Sequence, residues 1–185
     1  MKQIIDKNIG ELFERVTPLT IEGGKSWYKE ANQYCQDLAT EYNKTLRQVA
    51  GILAALSPMK EWSVNKRQTK QFLEFQTCGT FGRQISKSLD LYNCIVAELD
   101  ASKADKFIMA TLNGLKTKSF YHNIMYPNSS QLVTVDTHML KLSNWTFITD
   151  TRYKLIEECI QAKATELNLL PLELQAILWL QIKQK

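Results

Sequence analysis

Thr45-Leu-Arg-Gln48-Val-Ala-Gly-Ile-Leu-Ala-Ala-Leu56-Ser-Pro58 reads as a helix with a start, an apolar body and a stop. Thr45 and Gln48 have the capping-box spacing, in which hydroxyl and amide side chain satisfy each other's backbone N–H groups. From Val49 to Leu56 every residue is apolar or glycine. A helix without a polar face has nothing to offer water, so it belongs in the centre of the fold with other elements around it. Ser57-Pro58 ends it, because proline brings no N–H and disfavours helix before it.

The chain on both sides supplies helices to do the wrapping. Ile4, Ile5, Ile9, Leu12, Phe13 and Val16 trace one face of an opening helix that Pro18 is expected to stop. Gly23-Gly24 reads as a break, after which Trp27, Ala31, Tyr34, Cys35, Leu38 and Tyr42 keep helical spacing. Trp62 to Phe75 forms the most basic stretch, with Lys60 before it and Lys66, Arg67 and Lys70 within it. Gly79 and Gly82 interrupt the chain before a helix around Ile85 to Leu99. Ser102 suits the cap of a helix over Ala104 to Leu112, and the next starts at Thr117, leaving Leu112 to Lys116 as a tight turn.

Pro127-Asn-Ser-Ser130 is a loop and Leu132 to Val135 a short extended segment. Asp136 stands where it can cap a helix over Thr137 to Leu142. Thr151 to Leu167 and Pro171 to Ile182 close the chain, the last with proline in its first turn. The expectation is an all-α fold. Its 185 residues, 44% of them hydrophobic, suit one compact domain or a domain of two lobes, with a core large enough to fold unaided.

Charge and cysteine usage narrow the function classes. A net charge of +4 permits a polyanionic partner without naming one. Cys35, Cys78, Cys94 and Cys159 lie far apart with no C-x-x-C, and two histidines are too few for an obvious zinc site. No metal and no cofactor is expected, and isolated thiols suit a reducing cytoplasm. Lys2, Asp6 and Lys7 interrupt the first residues, so no signal-peptide core is expected there, and no apolar run approaches a membrane span.

Two stretches carry chemistry. Leu112-Asn-Gly-Leu-Lys-Thr-Lys118 offers an amine, and Val133-Thr-Val-Asp136-Thr-His138 offers a carboxylate eighteen residues after it. Together they resemble the helix-hairpin-helix superfamily of DNA glycosylases and abasic-site lyases, the endonuclease III type, whose hairpin reads roughly L-P-G-V-G-x-K and whose carboxylate lies in V-D-T-H. Leu56-Ser57 followed by Ser63-Val-Asn-Lys66 is similar to that family's L-S-x-x-x-x-x-S-V-N-K run. The similarity covers about residues 45 to 145, with a helix-hairpin-helix at about 104–126 and an aspartate loop at 132–138. Asn113 replaces the family's proline and Lys116 its second glycine, and a four-cysteine cluster loop is absent from the sequence. Compact, lysine-rich chains of this kind are also similar to bacteriophage proteins, among them relatives of the glycosylase fold linked to thymine hypermodification.

The resemblance implies Lys118 as nucleophile and Asp136 as the carboxylate that steadies the sugar cation, with His138 and Ser119 in support. Lysine attacks C1′ as the free amine, which desolvation or neighbouring positive charge favours. Lys116 and a nearby helix start act in that direction. An acid at a helix N-terminus is favoured as its anion, which suits a stabiliser better than a proton donor. Asn113, Gly114, Leu115, Lys116 and Thr117 of the hairpin, with Lys66 and Arg67, are the expected DNA contacts; Lys66 and Arg67 equally suit a solvated helix face. Trp62, Tyr121, Trp145 and Trp179 are candidates to stack on an extruded base, each also suited to the core.

The implied partner is abasic or damaged duplex DNA, with a separate glycosylase as a source of abasic sites and the cytoplasm as location. Two alternatives share the scaffold. One is a transferase that modifies a base in phage DNA; the other is a noncatalytic DNA-binding protein that uses the hairpin as a phosphate clamp.

Overall fold

The computed structural model describes residues 1–94 and 100–184. Among them there are helices and no strands, so the protein is all-α. In chain order the helices are α1 (Lys2–Phe13), α2 (Pro18–Glu41), α3 (Leu46–Leu56), α4 (Trp62–Phe75), α5 (Arg83–Asn93), α6 (Ala101–Leu112), α7 (Leu115–Met125), α8 (Asp150–Glu166) and α9 (Pro171–Lys183), with a 3-10 helix at Thr137–Leu142. The chain divides into two compact units. One comprises Met1–Ala31 with His122–Lys185, the other Asn32–Tyr121, and the boundaries fall within α2 and α7.

In the Asn32–Tyr121 unit, α3 is the centre that its sequence demands. Gln48 and every residue from Val49 to Leu56 are buried, and α4, α5 and α6 all pack on it. Thr45 and Gln48 form the expected capping box. The Gln48 amide also donates to the carbonyls of Leu91, Tyr92 and Cys94, which ties the end of α5 to the start of α3. A side chain at Gly51 would approach Ile108 to 3.0 Å and Leu91 to 3.2 Å, so glycine sets how closely α5 and α6 lie against the central helix. At the partly buried edge, Arg47 Nε meets Asp105 Oδ1 at 2.9 Å, and Tyr121 donates to the same carboxylate.

The other unit packs α1, α8, α9 and the 3-10 helix together. Here the Gly23-Gly24 expectation is corrected, because α2 runs through both glycines. A Cβ on Gly24 would stand 2.7 Å from the Ile177 backbone nitrogen and overlap the Ile177 side chain. The pair therefore marks a close helix-to-helix approach rather than a chain break, and the packing gained there outweighs the helix-propensity cost of glycine.

Other boundaries shift for local reasons. α1 ends at Phe13, and Pro18 opens α2 instead of closing α1, because a first-turn N–H has no intrahelical acceptor to lose. Asp100, not Ser102, caps α6, its carboxylate accepting from Lys103 N at 2.9 Å. α7 starts two residues earlier than expected, at Leu115, so the turn before it shrinks to Asn113 and Gly114. The stretch 95–99 of the expected Ile85–Leu99 helix lies outside the described residues.

The two neighbouring glycines of α2 give opposite predictions. Gly24→Ala should cost about 2–3 kcal/mol through overpacking against α9. Gly23→Ala meets Leu180 Cδ1 at an ordinary 3.5 Å and should gain about 0.5–1 kcal/mol of helix propensity. Chemical denaturation of both variants checks this, and equal effects would contradict the packing account.

Candidate functional site

The expected amine and carboxylate belong to different units, Lys118 to Asn32–Tyr121 and Asp136 to the other.

Around Lys118, α6 stops at Asn113, which adopts φ 65°, ψ −32° and donates its N–H to Met109 O at 3.2 Å. Asparagine tolerates a left-handed φ, whereas proline is locked near φ −65°, so the proline of the resembled hairpin has no place in this turn. Leu112 O gathers three donors: Gly114 N at 2.8 Å, Thr117 Oγ1 at 3.4 Å and the Lys87 amine of α5. A lysine satisfying the last carbonyls of a helix also complements its dipole. Thr117 is buried and also donates to Gly114 O at 3.0 Å, so its hydroxyl is spent within the turn, and Ser119 is buried too. Asn113 and Gly114 are exposed, while Leu115, Lys116 and Lys118 are partly so.

Sequence reasoning missed Lys87 and Arg83. They stand four apart, on one face of α5. Burial, then the Arg83 and Lys118 cations, push the Lys87 amine below the ordinary lysine range. Nothing in the local sequence marks Lys87, because its position depends on α5 and α6 meeting on α3. Met59 and Phe81 are almost fully exposed on loops of the same unit, and Gln84 at the start of α5 donates to Pro58 O at 3.1 Å.

The basic residues of α4 divide. Arg67 is exposed, whereas the Lys66 amine lies 5.5 Å from the ring centres of both Tyr34 and Trp62. Trp62 meets Tyr34 and Phe120 edge-on, and the Tyr34 hydroxyl donates to Lys66 O at 2.9 Å. Burial pushes the Tyr34 hydroxyl up to about 12. Lys66 is therefore a cation held over aromatic faces. Tyr121, a stacking candidate in the sequence, is wholly buried with its hydroxyl on Asp105.

In the other unit, the segment before Asp136 lies outside any helix or strand, and side chains of α8 bond its backbone. Tyr153 donates to Val133 O at 2.6 Å and accepts from Val135 N at 3.2 Å, while Glu157 accepts from Val133 N at 3.0 Å. The N–H and C=O of Val133 and the N–H of Val135 are thereby satisfied while both side chains are buried. On its far side, Thr134 Oγ1 accepts from Asn123 at 3.2 Å and shares a hydrogen bond with Tyr28 at 2.9 Å; Tyr28 in turn lies 2.7 Å from its acceptor Gln175 Oε1. Burial raises the Tyr28 hydroxyl far above its ordinary value.

This clamp delivers Asp136 to the start of the 3-10 helix as its cap. Oδ1 accepts from His138 N at 2.9 Å and Met139 N at 3.3 Å; Oδ2 accepts from Trp179 Nε1 at 3.0 Å and faces His138 Nδ1 at 3.2 Å. Four donors account for the carboxylate's accepting capacity. The Nδ1 proton follows from the carboxylate acting as acceptor, which leaves Nε2 of the partly exposed imidazole with no partner among the described residues. Trp179 also meets His138 and Trp27 edge-on, and Lys183 lies over its ring at 4.5 Å. Trp145 stands apart from this group, with Arg152 5.2 Å over its ring.

These are the features of an all-α protein with a cation cluster at one helical turn and a fully engaged aspartate at another. Over residues 1–185 the chain matches the family described as Family of unknown function (DUF7178), and it belongs to that family. No curated protein and no solved structure matches it. No described helix is long and apolar enough to cross a membrane.

Burial lifts the Glu157 carboxyl above its ordinary range, against the lowering effect of the Val133 hydrogen bond. With the folded value above the unfolded one, the folded state holds the proton more tightly, so stability falls as pH rises from the ordinary glutamate value through the raised one. Glu157→Gln should remove this part of the fall, so its melting temperature should gain on wild type as pH rises above about 4.3, the ordinary glutamate value. Parallel profiles would contradict the assignment.

Proposed function

We propose that this chain acts on DNA as an abasic-site lyase, with or without glycosylase activity, using the Lys118 amine as nucleophile and Asp136 as the carboxylate at the sugar. The observation that carries the reading is the seat of Lys118: a partly exposed amine on the first turn of α7, directly behind a two-residue turn whose preceding carbonyl, Leu112 O, is held by the Lys87 amine. Asn113, Gly114, Leu115 and Lys116 are the accessible part of the turn; Lys66 and Arg67 of α4 are further candidates for phosphate. The substrate is abasic or damaged duplex, with a separate glycosylase supplying the abasic site and the cytoplasm as the place of action.

In the reaction, Lys118 Nζ adds to C1′ of the opened sugar and water leaves, forming an imine. Water takes the C2′ proton, the electron pair moves toward C1′, and the C3′–O bond breaks with the 3′ phosphate as leaving group. Asp136 supplies fixed negative charge as cation develops at C1′. His138, held by Asp136, is the supporting group, while buried Ser119 supports the helix rather than the sugar.

A noncatalytic DNA-binding protein is the second reading, and the occupancy of Asp136 favours it, since a carboxylate with four donors is already a complete helix cap. One assay separates the two. With duplex carrying a uracil-derived abasic site, borohydride should trap a covalent adduct on wild type. Lys118→Ala should abolish trapping with DNA affinity largely kept, and Asp136→Asn should slow it about 100-fold. DNA binding without any adduct would remove the lyase reading.

A further inference from the structure

Arg83, Lys87 and Lys118 present a charge problem. The first two lie one helical turn apart on α5, and Lys87 reaches Leu112 O at the end of α6, immediately before the turn that carries Lys118. Lys87 is also within electrostatic reach of both other cations. Among the described residues, none of the three forms an ion pair, although Arg47, Lys70, Lys103 and Lys163 all have carboxylate partners. Three cations gathered without a counter-charge repel one another, and for a partly buried one the repulsion is poorly screened. Leu112 O offsets this for Lys87 alone. Arg83 and Lys118 gain nothing from it.

We propose that Arg83 and Lys87, one helical turn apart on α5, form a seat for one or two backbone phosphates of duplex DNA and leave the Lys118 amine to the sugar. The inference rests on the DNA-binding part of the reading above and moves the contact expected of Lys66 from α4 to α5. The reason is availability. The Lys66 amine lies over the Tyr34 and Trp62 rings, whereas Arg83 is exposed and its guanidinium suits a phosphodiester's two free oxygens. Lys87 has a double part, holding the end of α6 through Leu112 O and adding its charge to the seat. Exposed Phe81, two residues before Arg83, gives the same edge an apolar face for contact with bases once the backbone is held.

Affinity for a short duplex, measured by fluorescence anisotropy as a function of salt, tests the seat in wild type, Arg83→Gln, Lys87→Gln and Lys7→Gln. Lys7 lies on α1 in an exposed pair with Glu11 and serves as control. Each seat variant should lose about 0.9 from the slope of log K against log salt, one phosphate's share. Its affinity deficit should therefore shrink about 3.5-fold between about 50 and about 200 mM salt. Arg83→Gln touches no internal contact and should keep the wild-type melting temperature, so loss of binding in that variant cannot be put down to unfolding. Wild-type slopes in both seat variants, or the same loss in Lys7→Gln, would overturn the seat. Inorganic phosphate protected by the same residues without any duplex binding would also overturn it, by assigning the cluster to a free anion.

The two proposals fail separately. No borohydride adduct together with the slope loss removes the lyase and keeps the seat; trapping with unchanged slopes in both variants does the reverse.

Discussion

A helix with no polar face must be covered on every side, and α3 transmits that requirement to its whole unit. Gly51 sets the distance, since Leu91 of α5 and Ile108 of α6 both come to where its side chain would be. One helical turn back from Leu91 is Lys87, and one turn on from Ile108 is Leu112, so the approach that seals α3 also brings the lysine amine to the last carbonyls of α6. The cation cluster is thus a by-product of core packing. A larger residue at position 51 would push both helices outward and would be felt at the Lys118 turn as well as in the core.

The other unit rests on side chains that bond the backbone before Asp136. Tyr153 and Glu157 satisfy the backbone around Val133, and the buried Thr134 joins a polar chain through Tyr28 to Gln175. Each member is paired, as a buried polar group must be to avoid a desolvation penalty of about 1–3 kcal/mol. With the backbone fixed on both faces, Asp136 arrives at one position, where backbone, imidazole and indole donors converge on it. That arrangement makes the aspartate rigid, and a rigid carboxylate suits either a structural cap or preorganised charge at a sugar.

How much of this the sequence revealed depended on whether the cause was local. The capping box of Thr45 and Gln48, the all-apolar body of α3, Pro171 at the start of α9 and Asp136 as a cap are legible because neighbours in the chain determine them. Gly23-Gly24 misled for the opposite reason: the residue that explains Gly24 is Ile177, far along the chain, and a glycine pair looks the same whether it breaks a helix or admits another. Lys87 was invisible on the same grounds. Asn113 was partly legible, its departure from proline being plain in the sequence and its left-handed φ only in the fold.

The proposed lyase chemistry needs one particular amine to attack the sugar, and Lys87, with its amine pushed below the ordinary lysine range near Lys118, is the natural competitor. The most direct measurement is peptide mapping by mass spectrometry of the borohydride-reduced adduct formed on abasic duplex. The added sugar mass should fall on the peptide containing Lys118, at that residue. Its appearance on Lys87, on Lys116 or on the Met1 amine would contradict the claim.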